Sequence, residues 1–293
     1  MRAASSAASG QNYPPAALYV VATPIGNLAD ISLRALHVLN IADTIACEDT
    51  RHTQALLRAY GIDKSGAQLL AVHQHNEAQA AQAVIERLRA GQRVAYASDA
   101  GTPAISDPGA RLVAAVRLAG LRAVPLPGAS SVTAALSVAG STQEDAGGFV
   151  FVGFLPNKAG ERASAVETLR VEARCVVLME APHRIEVLAA ALATLGERQV
   201  TIGRELTKQF EEIASVSAVA LSSWLMQDAN RRRGEFVLVL HPLPADTQSG
   251  ADDRVLKLLL AELPLKTAVK LAAEITGEPR NSLYDLALKL KGA

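Results

Sequence analysis

The chain has 293 residues, 49% of them hydrophobic and 20% charged, which is enough for two domains with a well-developed core. Lysine plus arginine equal aspartate plus glutamate at 29 each, so no global field draws the chain to nucleic acid or membranes, and a polyanion must bind a local basic patch. The two cysteines, Cys47 and Cys175, lie in apolar runs and read as buried thiols rather than a disulfide framework, and no stretch approaches the roughly 18 apolar residues of a membrane span.

Residues 1–17 are rich in Ala, Ser and Gly and read as a disordered tail. Residues 18–23 form an apolar strand, followed by Pro24-Ile25-Gly26-Asn27-Leu28-Ala29-Asp30 and a helix over 31–39. A second strand, 43–47, ends in Glu48-Asp49-Thr50-Arg51-His52, and the helix after it stops at Gly61. The third strand, 68–72, runs into His73-Gln74-His75-Asn76-Glu77 and an amphipathic helix carrying Val84, Ile85 and Leu88. The fourth, 93–97, leads into the loop on which the first half is organised, from Ser98-Asp99-Ala100-Gly101-Thr102-Pro103 to Ser106-Asp107-Pro108-Gly109. Asp107 is placed as an N-cap and Pro108 as the first helical residue. Small residues there let backbone amides approach a ligand, and the loop sits at the carboxyl end of a strand, where open parallel sheets bind their ligands. A fifth strand, 121–126, ends in Pro127-Gly128-Ala129-Ser130-Ser131, before a helix that stops at Gly140. This alternation signals a largely parallel α/β sheet.

From Phe149 the rhythm changes. Strands are expected over 149–156, 175–179, 200–203 and 236–240, with helices over 163–169 and up to Leu195, which reads as a second α/β domain with more antiparallel pairing. The boundaries are a tail over 1–17, an N-terminal α/β domain over 18–127 and a C-terminal one over 128–242. A polar linker over 243–250 and a helical, helix-turn-helix-like domain over 251–293 complete the chain. The last two helices, 266–276 and 283–290, put Leu283, Leu286, Ala287 and Leu290 on one face.

These strings, with Gly153-Phe154-Leu155-Pro156, Glu180-Ala181-Pro182-His183-Arg184 and Arg204-Glu205-Leu206-Thr207-Lys208, occur in one register over about residues 18–242. Together they closely resemble the ribosomal RNA small subunit methyltransferase I family, within the tetrapyrrole (corrin/porphyrin) methylase superfamily. The resemblance implies two α/β domains with S-adenosylmethionine in the cleft between them, and a small C-terminal helical domain. It further implies a cytoplasmic homodimer that methylates a cytidine ribose 2′-oxygen in the decoding region of 16S ribosomal RNA, free or within the small ribosomal subunit. No membrane partner is implied.

By analogy, Pro24, Asp99, Gly101, Thr102, Ile105, Ser130 and Ser131 of the first stretch and Phe154, Leu155, Met179, Glu180 and Ala181 of the second are the expected cofactor residues. The alternative for Met179 and Phe154 is core packing, and for Asp99 a loop-bracing carboxylate. A ribose hydroxyl is a poor nucleophile and gains from a base or a positioned cation. Glu48, Asp49, Glu205 and Lys208 are the catalytic candidates, with one of Glu48, Asp49 or Glu205 orienting the 2′-hydroxyl. Arg51 and Lys208 are expected on the flanking phosphates, with His183, Arg184 and Arg204 as further RNA contacts. Salt bridging among these groups is the structural alternative. The run Arg231-Arg232-Arg233 reads as a solvated charge run or an extension of an RNA-facing surface. His73 and His75 could share a strand face, but no third ligand accompanies them, and no metal is expected.

Three rival functions remain in view. A tetrapyrrole C-methyltransferase would share the fold, but the 23–28 string stands where that branch has a Gly-rich loop. A dinucleotide dehydrogenase would explain an acid at Glu48 or Asp49, yet no G-x-G-x-x-G precedes it. A DNA regulator reading through the last helices would need more than the balanced charge they carry.

Overall fold

The computed structural model describes residues 2–73, 76–105, 109–141, 148–243 and 245–291. The first helix, α1 (Arg2–Ala8), replaces the expected disordered tail. Its Ala4 and Ala8 lie one turn apart, are both buried, and let the helix approach closely.

The first sheet is built from β1 (Ala17–Val21), α2 (Leu33–Ile41), β2 (Thr44–Cys47), α3 (Thr50–Ala59), β3 (Leu69–Ala71), α4 (Glu77–Arg89), β4 (Val94–Ala97), α5 (Gly109–Leu118) and β5 (Arg122–Leu126). Helix α1 packs on α2. All pairings are parallel, in the order β3-β2-β4-β1-β5. One face is covered by α2 and α3 through Val38, Leu39 and Leu57; the other by α4 and α5 through Val84, Leu88, Leu112 and Val116. The chain leaves β1 toward β2 on one side and β4 toward β5 on the other, so the switch point lies between β1 and β4. A crevice opens there at their carboxyl ends. The expected cap Asp107, with Pro108, and the second histidine of the pair, His75, lie outside the described residues.

The next helix, α6 (Ser131–Val138), follows β5 yet packs on the second sheet. That sheet comprises β6 (Phe149–Gly153), α7 (Ala159–Val171), β7 (Cys175–Glu180), α8 (Ile185–Leu192), β8 (Gln199–Arg204), β9 (Glu212–Ser217), α9 (Leu221–Met226) and β10 (Phe236–Leu240). The order is β6-β7-β10-β8-β9, parallel only at β6–β7 and antiparallel elsewhere, as the changed rhythm implied. Helices α7, α8 and α9 cover one face; α6 covers the other, where Val132, Ala135 and Ala139 meet Val177, Val237 and Val239.

Three helices close the chain: α10 (Ala245–Glu262), α11 (Leu265–Thr276) and α12 (Arg280–Lys291). Helix α10 begins inside the stretch expected to be a linker, directly after the prolines that bar an earlier start. Gly277, at φ 79°, provides the left-handed C-cap of α11. Leu283 and Ala287 pack on Leu256, Val269 and Ala272, with Leu286 and Leu290 beside them, which is the face read from the sequence.

Arg198 ties the second domain together. It is 7% exposed, and its guanidinium donates to the carbonyls of His241, Leu169, Glu172 and Arg174 at 2.7, 2.6, 3.0 and 3.2 Å, binding the end of α7 to the strand ends. Replacing it with methionine keeps much of the volume but strands those acceptors. We expect Arg198→Met to cost about 3 kcal/mol in urea unfolding, whereas a loss within the error of the measurement would show that water replaces the guanidinium.

Both thiols are buried, and burial pushes that of Cys47 up to about 11 despite the hydrogen bond from Thr53. A disulfide-exchange reagent at pH 8 should therefore label neither cysteine in the native protein and both in denaturant. Rapid native labelling would contradict this packing.

Candidate active site

The loops after β1, β2 and β4 meet at the switch point. Thr23 and Gly101 exchange backbone hydrogen bonds, Thr23 N to Gly101 O at 2.9 Å and Gly101 N to Thr23 O at 3.0 Å. The Thr23 hydroxyl donates to Ser98 O, and that of Ser98 to Gly101 O. Gly101 adopts φ 82°, which suits glycine, and a Cβ there would also press on Ile25 at 3.3 Å. The acids after β2 interlock with this loop: Glu48 Oε1 accepts from the Asp99 amide and Asp99 Oδ1 from the Asp49 amide, each at 3.3 Å. Thr102 donates to Ala129 O at 3.0 Å, linking the loop to the segment that crosses to the second sheet. Gly128 in that segment lies so close to Ala22 that a Cβ would fall 2.8 Å from the alanine methyl.

The second sheet supplies the opposite wall from the ends of β7 and β8 and the start of β10. A cavity of about 420 Å³ lies between the two, within the range of small-molecule sites. Its apolar lining includes Ile25, Val132, Met179, Leu206, Phe236 and Val237; Glu48, Asp99, Glu180 and Glu235 bring carboxylates. Phe154 and Ile105 line it while half-exposed. Glu180 is 2% exposed. Its Oε1 accepts from the Ala181 amide at 2.9 Å and forms an ion pair with Arg184 Nε at 3.1 Å, while its Oε2 is buried with no hydrogen-bond partner in the structure.

At the same wall Lys208 Nζ lies 2.9 Å from Glu205 Oε1 and 3.0 Å from Glu235 Oε2. Burial acts to raise the Glu205 carboxyl, but the hydrogen bonds from Lys208 and the Glu235 amide outweigh it and hold the group below the usual range. Burial likewise acts to lower Lys208, and its two carboxylate partners instead push it up. Glu205 is thus a weak base and Lys208 a firm cation.

Residues 17–221 match the tetrapyrrole (corrin/porphyrin) methylase family, and residues 246–291 match the RsmI C-terminal HTH domain. The ribosomal RNA small subunit methyltransferase I of Neisseria meningitidis serogroup B is 49% identical over 278 residues, covering 94% of each chain. Its counterpart in Escherichia coli O157:H7 is 47% identical over 94% of this chain and 96% of its own. The chain belongs to the ribosomal RNA small subunit methyltransferase I family. Members of this family are methyltransferases, and the chain is one. The fold is shared with a cobalt precorrin-4 methyltransferase (TM-score 0.57, 18% identity, 76% of this chain and 94% of that one). It is shared equally with a diphthine synthase (TM-score 0.57, 16% identity, 77% and 90%).

Of the residues the family resemblance singled out for the cofactor, Asp99, Gly101, Thr102, Ile105, Ser130, Ser131, Phe154, Met179, Glu180 and Ala181 line the cavity. Pro24 and Leu155 do not: Leu155 is 3% exposed and packs in the second-domain core. Among the acids, Glu48 lines the cavity, whereas Asp49 is the N-cap of α3, accepting from the amides of Arg51 and His52, which lower its pKa. Arg51 and His183 are exposed. Arg184 turns inward to Glu180 and the Leu155 carbonyl, and Arg204, 8% exposed, to Glu212, Phe210 O and Arg233 O. As placed, the guanidinium groups of Arg184 and Arg204 are engaged with partners inside the protein. Most of the arginine run is tied down as well: Arg231 pairs with Glu212 and stacks 4.4 Å above Trp224, and Arg232 pairs with Glu186. The lining residues missed by sequence reasoning, such as Gly203, Leu206, Glu235, Phe236 and Val237, come from strand ends whose apolar pattern looks like any core strand.

The capping role of Asp49 is separable from chemistry, because serine caps as well as aspartate. Asp49→Ala should lower the thermal midpoint, and Asp49→Ser should restore it with methyl transfer intact. A folded Asp49→Ser variant without transfer would assign the carboxylate to the reaction.

Proposed function

We propose that this chain transfers the methyl group of S-adenosylmethionine to the ribose 2′-oxygen of a cytidine in the decoding region of 16S ribosomal RNA. The relatives from Neisseria and Escherichia are named as small subunit ribosomal RNA methyltransferases, which supports ribosomal RNA as the acceptor. The cavity between the sheets carries the reading, because its wall holds a buried carboxylate with one oxygen unpartnered. Leaving such an oxygen without a donor is costly, and a hydroxyl or ammonium of a ligand supplies one.

The residues present fit the cofactor. Ile25, Val132, Leu206 and Phe236 offer apolar surface to an adenine; Gly101, Ala181 and Gly203 admit close backbone approach; and the carboxylates of Asp99 and Glu180 favour a cationic ligand. When bound, S-adenosylmethionine supplies a methyl group on a sulfonium, open to in-line displacement. The chain's own part is to hold the acceptor in line, which is worth roughly 7–11 kcal/mol when orientation is good, and to exclude water. Of the acids considered for the acceptor, Glu48 fits best: it lines the cavity, whereas Asp49 caps a helix and Glu205 is held by Lys208. In this reading Glu48 accepts a hydrogen bond from the 2′-hydroxyl and takes its proton, and Arg51 and Lys208 meet the flanking phosphates. The protein works in the cytoplasm as a homodimer, for which Phe149 and Val152, exposed on the edge strand β6, offer apolar surface. Among the described residues no helix is long and apolar enough to cross a membrane.

Labelled methyl transfer to small subunits lacking ribose methylation, with free 16S RNA alongside, tests the proposal. We expect label on a decoding-region cytidine ribose, recognised by resistance of the adjoining bond to alkali. Label on a base, or cofactor binding without transfer, would overturn it. Glu48→Gln should lower kcat by about 10²-fold with cofactor affinity kept. Glu180→Gln should weaken S-adenosylhomocysteine binding roughly tenfold.

A further inference from the structure

The described non-glycine residues with positive φ are Ala16, Ala104, Glu205 and Thr207, and two of them fall within a span of three residues. Thr207, at φ 67°, is β-branched, for which this conformation is a true outlier. Such a backbone persists only when its surroundings over-determine it, and it gathers at functional sites. The surroundings here are specific. Glu205 N donates to Glu235 O, Glu235 N to Glu205 Oε1, Lys208 N to Glu205 O, and Thr207 N to Glu211 Oε2, at 2.9, 2.8, 3.0 and 2.6 Å.

The turn so held reaches across to the first domain. The Asn27 amide donates to Thr207 Oγ1 at 3.2 Å, joining residues 180 positions apart. The approach is close enough to require glycine at position 26. A Cβ there would fall 2.4 Å from Lys208 Cγ, 2.8 Å from Thr207 Oγ1 and 3.2 Å from Leu206 O. Ile25 on one side of this contact and Leu206 on the other both line the cavity and pack in one apolar cluster. Lys208 follows immediately, fixed by its two carboxylates.

We infer that Thr207 is a positioning residue, clasping the 205–208 turn of the second domain to the 26–27 loop of the first and so seating Leu206 on the methyl-donor cavity and Lys208 beside it. The inference rests on reading the cavity as the cofactor site and Lys208 as a phosphate contact. The left-handed turn is what presents the hydroxyl to Asn27 while Leu206 points to the cavity wall. Without the clasp both seats loosen together, so cofactor affinity and RNA affinity fall in the same variant although Thr207 meets neither ligand.

Three variants test it in the full-length protein: Thr207→Val, which keeps the shape and loses the acceptor; Thr207→Ser, which keeps the acceptor; and Gly26→Ala, which forces the loops apart. Calorimetric titration with S-adenosylhomocysteine is read beside KM and kcat for small subunits, with thermal unfolding as the control. We expect Thr207→Val to raise Kd and KM about fivefold each, the effect of one hydrogen bond, with a smaller change in kcat and an unchanged thermal midpoint. Thr207→Ser should stay near wild type and Gly26→Ala should exceed Thr207→Val. Wild-type Kd and KM in Thr207→Val and Gly26→Ala would overturn the clasp, as would a loss in Thr207→Ser equal to that in Thr207→Val. If the wild type binds S-adenosylhomocysteine but methylates no RNA, the RNA reading fails and the clasp is decided by cofactor affinity alone.

Discussion

Helix α6 leaves the first sheet and buries its apolar face on the second, and the cleft depends on that crossing. Its Val132, Ala135 and Ala139 cover Val177, Val237 and Val239, apolar surface that would otherwise meet water. The path is possible because Gly128 slides over Ala22 where a side chain would collide. With α6 anchored this way, the segment 127–131 becomes a shared wall, tied to the Asp99 loop by the hydrogen bond from Thr102 to Ala129 O. Ile25 joins the same cluster from the first domain. The cavity is thus bounded by loop residues of the first domain and packed strand-end side chains of the second, which leaves few ways to widen the site without unpacking a core.

Charge is distributed with a similar economy. The chain is neutral overall, and within the cavity carboxylates outnumber cations, an environment that suits a sulfonium and disfavours phosphate. The phosphate contacts proposed for Arg51 and Lys208 therefore fall on groups that do not line the cavity. Arg184, Arg198, Arg204, Arg231 and Arg232 are all engaged with carbonyls or carboxylates.

Much of this was legible in the residues. Alternation of apolar runs with helical spacing gave the parallel first sheet, and the glycine- and proline-rich loops fell at strand ends where the cavity opens. The change after Phe149 marked a mixed sheet. Other features left weaker traces. Strand β9 alternates intermediate and exposed residues with Glu212, Ser215 and Ser217 among them, so its apolar signal is faint. Helix α1 is legible only once a partner surface exists for Ala4 and Ala8. An arginine that will be buried among carbonyls, such as Arg198, looks like any surface arginine until the chain ends that supply those carbonyls are brought together. The same holds for Leu206 and Phe236, whose exposure to a cavity rather than a core is decided by the facing domain.

The central claim is that the cleft between the two sheets holds the methyl donor against Glu180. A crystal structure of the protein with S-adenosylhomocysteine tests it most directly. The account predicts the ligand between the Asp99 loop and the ends of β7 and β10, with one of its hydroxyl or amino groups on Glu180 Oε2. A ligand bound elsewhere, or one in the cleft that leaves that oxygen without a donor, would contradict it.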